Sequence, residues 1–216
     1  MKLFNLVPKK RRKKPKKQED IHQESSKIPN LIKELVIARE NQVWVADFTY
    51  LRFHARFVYL ATVEDVFTRQ IIEWEVSTRH DASLVNQAIL NALRYYKAPD
   101  ISHSDQGSEY KSKGHQDILE VEGIKQSMSS KGSPWQNGYQ ESFYSGFKLE
   151  LEGIEECQNL GEAIEKIAIQ IHYYNNLRIH SALGCPPVLF ALKIKSRTTK
   201  VENIDLGQQI EHGICV

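Results

Sequence analysis

Three segments rich in β-branched and aromatic residues follow one another closely in the first half of the chain. They cover residues 43–53 (VWVADFTYLRF), 56–67 (RFVYLATVEDVF) and 69–77 (RQIIEWEVS). Residues of these types favour strands. Because the segments follow at close spacing, we predict that the three strands form an antiparallel meander.

Helix and strand patterns alternate after the meander. Residues 81–97 carry apolar side chains at helical spacing behind a capping aspartate, Asp81. A short strand ends at Asp105 and a second strand covers 123–129. Further helices are predicted at about 112–121, 139–152 and 160–178. This order indicates an α/β protein with a mixed five-stranded sheet flanked by helices.

Length and composition fit a protein of one domain with tails. The 216 residues are 41% hydrophobic and 26% charged. No stretch approaches the roughly 20 apolar residues of a membrane span, and the N-terminus lacks a signal-peptide core, so we expect a cytoplasmic protein with no membrane partner. The three cysteines are scattered without a CxxC pair, which argues against a disulfide framework and a cysteine zinc site.

The charge is unevenly distributed along the chain. Residues 1–17 hold nine Lys and Arg and no acid, whereas the rest of the chain has 20 basic and 27 acidic residues, a net charge of −7. This basic arm is either a solvated charge run or a contact for a polyanion, and the two are compatible. Its candidate DNA-binding residues are Lys9, Lys10, Arg11, Arg12, Lys13 and Lys14. Residues 18–40 are predicted to be a linker with one short amphipathic helix.

Three carboxylates stand at positions where each, taken alone, has an ordinary explanation. Asp47 lies inside an apolar strand, where burial of an unpaired charge is costly, although an edge-strand aspartate could face water. Asp105 ends its strand just before Gly107 and could simply cap the next helix. Glu141 begins a helix 35 residues after Asp105 and could be a surface glutamate.

Taken together, the three carboxylates predict a metal site. A strand aspartate, a strand-end aspartate and a helix glutamate can converge on two divalent cations. Ligation by carboxylates alone selects hard ions, Mg²⁺ or Mn²⁺, over zinc. Two such ions suit an in-line phosphoryl displacement, because they clamp both the attacking and the leaving oxygen.

Four ordered motifs carry a resemblance to a known family. They are WVADFTYL at 44–51, HSDQGSEY at 103–110, SSKGSPWQNGYQESFYSGFKLE at 129–150 and YYNNLRIHSALGCPPVLF at 173–190. In this order and spacing they resemble the DDE catalytic core of bacterial insertion-sequence transposases and retroviral integrases. The resemblance implies an RNase H-like fold, with Asp47, Asp105 and Glu141 as the catalytic, metal-binding triad.

The resemblance also implies activity and partners. The expected reaction is metal-dependent DNA cleavage at the ends of a mobile element, followed by strand transfer from the freed 3′-OH. The expected partners are DNA, further copies of the chain in a synaptic complex and a separate DNA-reading subunit. The expected location is the cytoplasm, in association with the nucleoid. The predicted domains are a basic arm and linker at 1–40, a catalytic core at 41–192 and a tail at 193–216. A nuclease without joining activity and an inactive DNA-binding remnant remain as alternatives.

Several other residues near these motifs admit two interpretations. Lys148, two helical turns after Glu141, is favoured as a phosphate contact. Trp135 and Gln136 could contact DNA, or Trp135 could pack its loop onto the sheet. Asp65 is expected to make a turn contact or an ion pair with Arg69. Two further candidates are His103, which could border the site or pack, and Glu109, which is expected to cap a helix or face solvent.

Overall fold

The computed structural model describes residues 28–130 and 138–196, which form a five-stranded sheet with helices on both faces. The strands are β1 (Val43–Phe53), β2 (Arg56–Asp65), β3 (Ile71–Ser77), β4 (Ile101–Ser104) and β5 (Lys125–Met128). The helices are α1 (Ala82–Tyr95), α2 (Lys113–Val121), α3 (Gly138–Glu150) and α4 (Leu160–Asn176), and a further helix covers residues 187–196.

The strand order is β3-β2-β1-β4-β5. β2 pairs antiparallel with β1 on one side and with β3 on the other, which confirms the predicted meander. β4 pairs parallel with β1 on its other side, and β5 pairs parallel with β4. The sheet is therefore mixed, and the predicted architecture of five strands flanked by helices is confirmed.

Apolar side chains alternate between the two faces of the sheet, and each face is covered by its own helices. On one face, Trp44 and Ala46 of β1 pack against α1 residues such as Ile89. On the other face, β2 residues such as Leu60 pack against Phe143 of α3 and Ile167 of α4. β1 lies between these two layers, and its first four residues are fully buried.

Polar side chains fix the starts of three helices. The predicted cap Asp81 accepts a hydrogen bond from the Ser83 backbone N–H at the start of α1. Ser112 caps α2 and Asn159 caps α4 in the same way.

The described part of the chain contains no helix long and apolar enough to cross a membrane.

The segment before β1 is described over residues 28–40, which form bends and turns and contain no helix. The short helix predicted within residues 18–40 is therefore absent from this described part. Side chains elsewhere take up the backbone groups of this segment: Ser127 Oγ accepts from the Leu31 N–H, and Gln42 Oε1 accepts from the Ala38 N–H. The part of the predicted linker before residue 28 and all of the basic arm lie outside the described residues.

Candidate active site

Asp47 and Asp105 come from adjacent parallel strands with a fixed register. Val43 pairs with Ile101 and Val45 with His103 along β1 and β4. The pairing ends there, but the same register extended by two residues would set Asp105 opposite Asp47, and neighbouring strands lie about 4.8 Å apart. Sheet geometry therefore brings the first two predicted carboxylates together.

The backbone turns away from the sheet immediately after Asp105. Its Oδ1 accepts the Gly107 N–H at 2.9 Å, a side-chain turn that ends β4. A Cβ on Gly107 would lie 2.8 Å from Glu109 Oε2 and 3.0 Å from Asp105 Oδ1. A glycine leaves room at this position for both carboxylate groups, which a larger side chain would displace.

Two buried polar side chains hold α3 against β1. Gln140, which is 0% exposed, donates from Nε2 to the Val45 carbonyl at 2.9 Å, and the Tyr144 hydroxyl donates to the Asp47 carbonyl at 2.8 Å. Thr62 of β2 donates to Gln140 Oε1 at 2.9 Å and contacts the Tyr144 hydroxyl at 2.8 Å. Gln140 and Tyr144 are four residues apart and share one helix face. Glu141 follows Gln140 directly, so the same contacts bring it towards the aspartates.

Electrostatics couple the three carboxylates. The pKa of Asp47 is raised to about 7, first by burial and then by the negative charge of Asp105, with a smaller contribution from Glu141. The Phe48 backbone N–H and the Lys148 ammonium oppose this rise. Asp47 is thus close enough to both other members of the predicted triad to sense their charges.

Lys148 lies near the same carboxylates. Burial lowers the pKa of its ammonium group, and the charge of Asp47 opposes that shift. Its Nζ lies 4.6 Å from the centre of the ring of Tyr50 on β1, a cation–π contact. A cation held here can meet an anionic group bound at the carboxylates.

The chemistry of the donors fits a hard divalent cation, whose charge would favour the ionised form of Asp47 that burial and the neighbouring carboxylates disfavour. In residues 28–130 and 138–196, however, no three His, Cys, Asp or Glu side chains are grouped so that they could hold a metal ion. Asp47 Oδ1 accepts the Phe48 N–H at 2.8 Å, and Asp105 Oδ1 accepts the Gly107 N–H. One oxygen of each aspartate is therefore engaged by the backbone.

The remaining predicted DNA contacts cannot be placed. Trp135 and Gln136, together with the basic residues of the arm, lie outside the described residues.

Two further residues, Glu109 and His80, contact each other near Asp105. Glu109 is 8% exposed, and its Oε1 lies 2.9 Å from His80 Nε2, so the prediction that it caps a helix or faces solvent was wrong. The His80 ring stacks on Tyr59 with centroids 5.2 Å apart. No local sequence pattern indicates this contact, because His80 and Glu109 lie on different elements.

Two other polar residues have structural roles. His103 is fully buried, and its Nδ1 lies 2.8 Å from Ser127 Oγ, which decides in favour of packing. Asp65 ends β2 in a turn, where its Oδ1 accepts from the Thr68 N–H at 2.8 Å and from the Thr68 hydroxyl at 2.9 Å. The Arg69 N–H donates to the Asp65 carbonyl at 2.8 Å, so the predicted turn contact is confirmed.

Comparison with solved structures defines the class of fold. The magnesium complex of the HTLV-2 integrase catalytic core domain in its trimeric form matches with a TM-score of 0.57 and 20% identity, over 70% of this chain and 96% of that chain. A simian T-cell lymphotropic virus intasome in complex with PP2A regulatory subunit B56 gamma matches with a TM-score of 0.65 and 17% identity, over 80% of this chain and 60% of that chain. The fold is the RNase H-like fold of retroviral integrase catalytic cores, as predicted.

Sequence comparison identifies the family. Two models described as integrase core domain match residues 38–134 and 122–187. An uncharacterized transposase-like protein of Haemophilus influenzae is 32% identical over 73% of this chain and 74% of its own length. The transposase for insertion sequence element IS904 of Lactococcus lactis is 40% identical over 72% of this chain and 63% of its own length. The chain belongs to the integrase core domain family of transposases and integrases.

The match to the relatives covers only part of their length. The chain spans about six-tenths of the IS904 transposase and of the 31 kDa protein of insertion element IS600 from Shigella sonnei, at 63% and 59%.

Proposed function

We propose that this chain catalyses DNA cleavage at the ends of a mobile element and joins the resulting end to target DNA. Hydrolysis of one phosphodiester frees a 3′-OH, and that 3′-OH attacks a second phosphodiester with release of the leaving 3′-oxygen. The observation that carries the proposal is the group formed by Asp47 on β1, Asp105 just after the adjacent strand β4 and Glu141 on α3, in which burial and then the charges of Asp105 and Glu141 raise the pKa of Asp47 to about 7. Family membership supports the same chemistry.

Each carboxylate has a role in the proposed reaction. Asp47, Asp105 and Glu141 would hold Mg²⁺ or Mn²⁺, with two ions per site. Bound divalent cations would supply Lewis-acid stabilisation of the charge that develops on the phosphodiester. Gln140 and Tyr144 would act as positioning residues, because their hydrogen bonds to β1 set where Glu141 stands.

Contacts outside the triad would bind DNA. The Lys148 ammonium, next to Asp47, would contact a phosphate beside the reacting one. Trp135, Gln136 and the basic arm are proposed as further contacts on the basis of their composition and position in the sequence. Two element ends must be processed together, so we propose a dimer or larger assembly that acts at the bacterial nucleoid.

The test is strand transfer on a labelled, pre-cut DNA end in Mg²⁺ or Mn²⁺, starting from the DNA that flanks the gene. Wild type is compared with Glu141→Gln, and Glu120→Gln, an exposed glutamate of α2, is the matched control. We expect metal-dependent joining in wild type and in the control but not in Glu141→Gln. Cleavage without joining would favour a nuclease, and DNA binding without either reaction would favour an inactive remnant.

A second readout separates metal binding from catalysis. Mg²⁺ or Mn²⁺ should raise the melting temperature of wild type and of Glu120→Gln, because a ligand that binds only the folded state stabilises it. The rise should be smaller in Glu141→Gln. An equal rise in all three proteins would remove Glu141 from the metal-binding set.

A further inference from the structure

A cavity of about 500 Å³ opens beside α3 and is lined by residues of β2, α3, α4 and the segment after α4. Its α3 lining includes Tyr139 and Ser142, whereas Glu141 and Lys148 do not line it. A cavity of this size falls in the range of small-ligand sites. Because neither Glu141 nor Lys148 lines it, the cavity is distinct from the carboxylate site and lies on another side of α3.

A buried carboxyl group lines the cavity. Glu64 is 1% exposed, and its Oε2 is buried with no hydrogen-bond partner among the described residues. Burial raises the pKa of Glu64 to about 8, although the positive charge of Arg69 opposes this rise. The group is thus mainly protonated at neutral pH, and a protonated carboxyl can donate a hydrogen bond.

Two guanidinium groups give the cavity a positive potential. Arg69 lies 4.1 Å from the centre of the Tyr139 ring, and Arg178 pairs with Glu150 at 3.0 Å. Both arginines line the cavity. Together with burial, their charges lower the pKa of His180, whose Nδ1 is buried without a partner among the described residues.

The donors in the cavity point to one class of ligand. A cation would be repelled by Arg69 and Arg178, and an apolar ligand would leave the carboxyl of Glu64 without a partner. A phosphate group has several acceptor oxygens and suits planar guanidinium donors together with a protonated carboxyl. The hydroxyl of Ser142 adds a further neutral donor on the cavity wall.

We propose that this cavity binds the phosphate group of a nucleotide, at a position separate from the metal-binding carboxylates. The inference deepens the proposed function and rests on it for the source of the phosphate, which is the DNA substrate. A free mononucleotide carries the same chemistry, and the experiment distinguishes the two sources.

The test measures the melting temperature of the full chain with inorganic phosphate and with deoxyadenosine monophosphate, against sodium chloride at matched ionic strength. Arg178→Gln removes one guanidinium, and Ser142→Phe fills the cavity while keeping every charge. Arg39→Gln is the matched control, because Arg39 is an exposed arginine that pairs with Asp100 away from the cavity. Circular dichroism checks that each variant is folded.

We expect phosphate and the mononucleotide to stabilise wild type and Arg39→Gln. Their dissociation constants should be about tenfold to a hundredfold larger in Arg178→Gln, as for loss of a charge-assisted hydrogen bond. Ser142→Phe should abolish the stabilisation. Glu64→Gln should retain it, because a neutral amide can still donate.

A binding measurement with a DNA duplex identifies the source of the phosphate. If Arg178→Gln also binds a DNA duplex more weakly than Arg39→Gln does, the phosphate belongs to DNA. If Arg178→Gln weakens binding of the mononucleotide but not of the duplex, the phosphate belongs to a free nucleotide. The inference is overturned if phosphate and mononucleotide do not stabilise wild type beyond chloride, or if Arg178→Gln and Ser142→Phe are stabilised as much as wild type.

Failure of this inference can be told apart from failure of the proposed function. Glu141→Gln should lose strand transfer and keep stabilisation by phosphate. Strand transfer by wild type without phosphate stabilisation would reject the cavity alone. Phosphate stabilisation without metal-dependent joining would reject the proposed reaction and leave the cavity.

Discussion

Replacement of Gln140 by leucine tests whether buried hydrogen bonds hold the catalytic helix on the sheet. Leucine has a similar volume but neither donates to the Val45 carbonyl nor accepts from Thr62. The substitution therefore removes two hydrogen bonds of 2.9 Å each. The Val45 carbonyl would stay buried and lose this side-chain donor, while Thr62 would keep its contact with Tyr144. Each buried hydrogen bond contributes about 0.5–1.5 kcal/mol net, so we expect the loss of two to lower the free energy of unfolding by roughly 1–3 kcal/mol.

The assay is equilibrium unfolding in urea, with strand transfer measured on the same preparations. Gln116→Leu is the control, because Gln116 is an exposed glutamine of α2 that donates to the Lys111 carbonyl at 2.9 Å. It should change stability by no more than about 0.5 kcal/mol. Gln140→Leu should also reduce strand transfer under conditions where it is fully folded, because Glu141 loses its positioning contact. Equal stability of the two variants would refute the reasoning.

Two pH-dependent predictions follow from buried titratable groups. The pKa of Asp47, about 7, lies above its ordinary 3.8, so its charge destabilises the fold above pH 7 and the penalty fades as the pH falls towards 4. Asp47→Asn should therefore raise the free energy of unfolding at pH 8 by roughly 2–4 kcal/mol and have little effect at pH 4, and equal effects at both would contradict this. Burial lowers the pKa of His115 to about 4 from 6.5, so the fold loses up to about 3 kcal/mol as the pH falls between these values. His115→Gln should flatten that part of the urea-unfolding profile, and an unchanged slope would contradict the assignment.

The sheet could be predicted from local pattern because its strands alternate and are apolar. The predicted second strand ran to Phe67, two residues too far, since the Asp65 side chain binds Thr68 and turns the chain at that point. The helix expected within residues 18–40 does not form in the described part, 28–40. Its backbone groups find partners such as Ser127, 96 residues away from Leu31 in sequence, and no local pattern reveals such partners.

The site could be predicted in part for a similar reason. Asp47 and Asp105 stand out in the sequence because Asp47 interrupts an apolar segment and Asp105 ends one. The contacts that position them do not stand out. Gln140 binds Val45, 95 residues earlier, and Glu109 meets His80 of the loop before α1. Nothing near a glutamine or a glutamate in the sequence shows which backbone group or ring it will meet.

The register between β1 and β4 has a consequence for the dynamics of the site. Asp47 lies on β1 and Asp105 directly follows β4, and both strands are in the interior of the sheet, so separating the aspartates would require opening the most protected part of the fold. Glu141 instead lies on α3, which is held to the sheet by side-chain packing and hydrogen bonds rather than by a strand ladder. We expect backbone amides of β1 to exchange with solvent far more slowly than those in the first turns of α3. The site would then combine a half fixed by strand pairing with a half fixed by helix packing, and a ligand that contacts Glu141 would stabilise the packed position of α3.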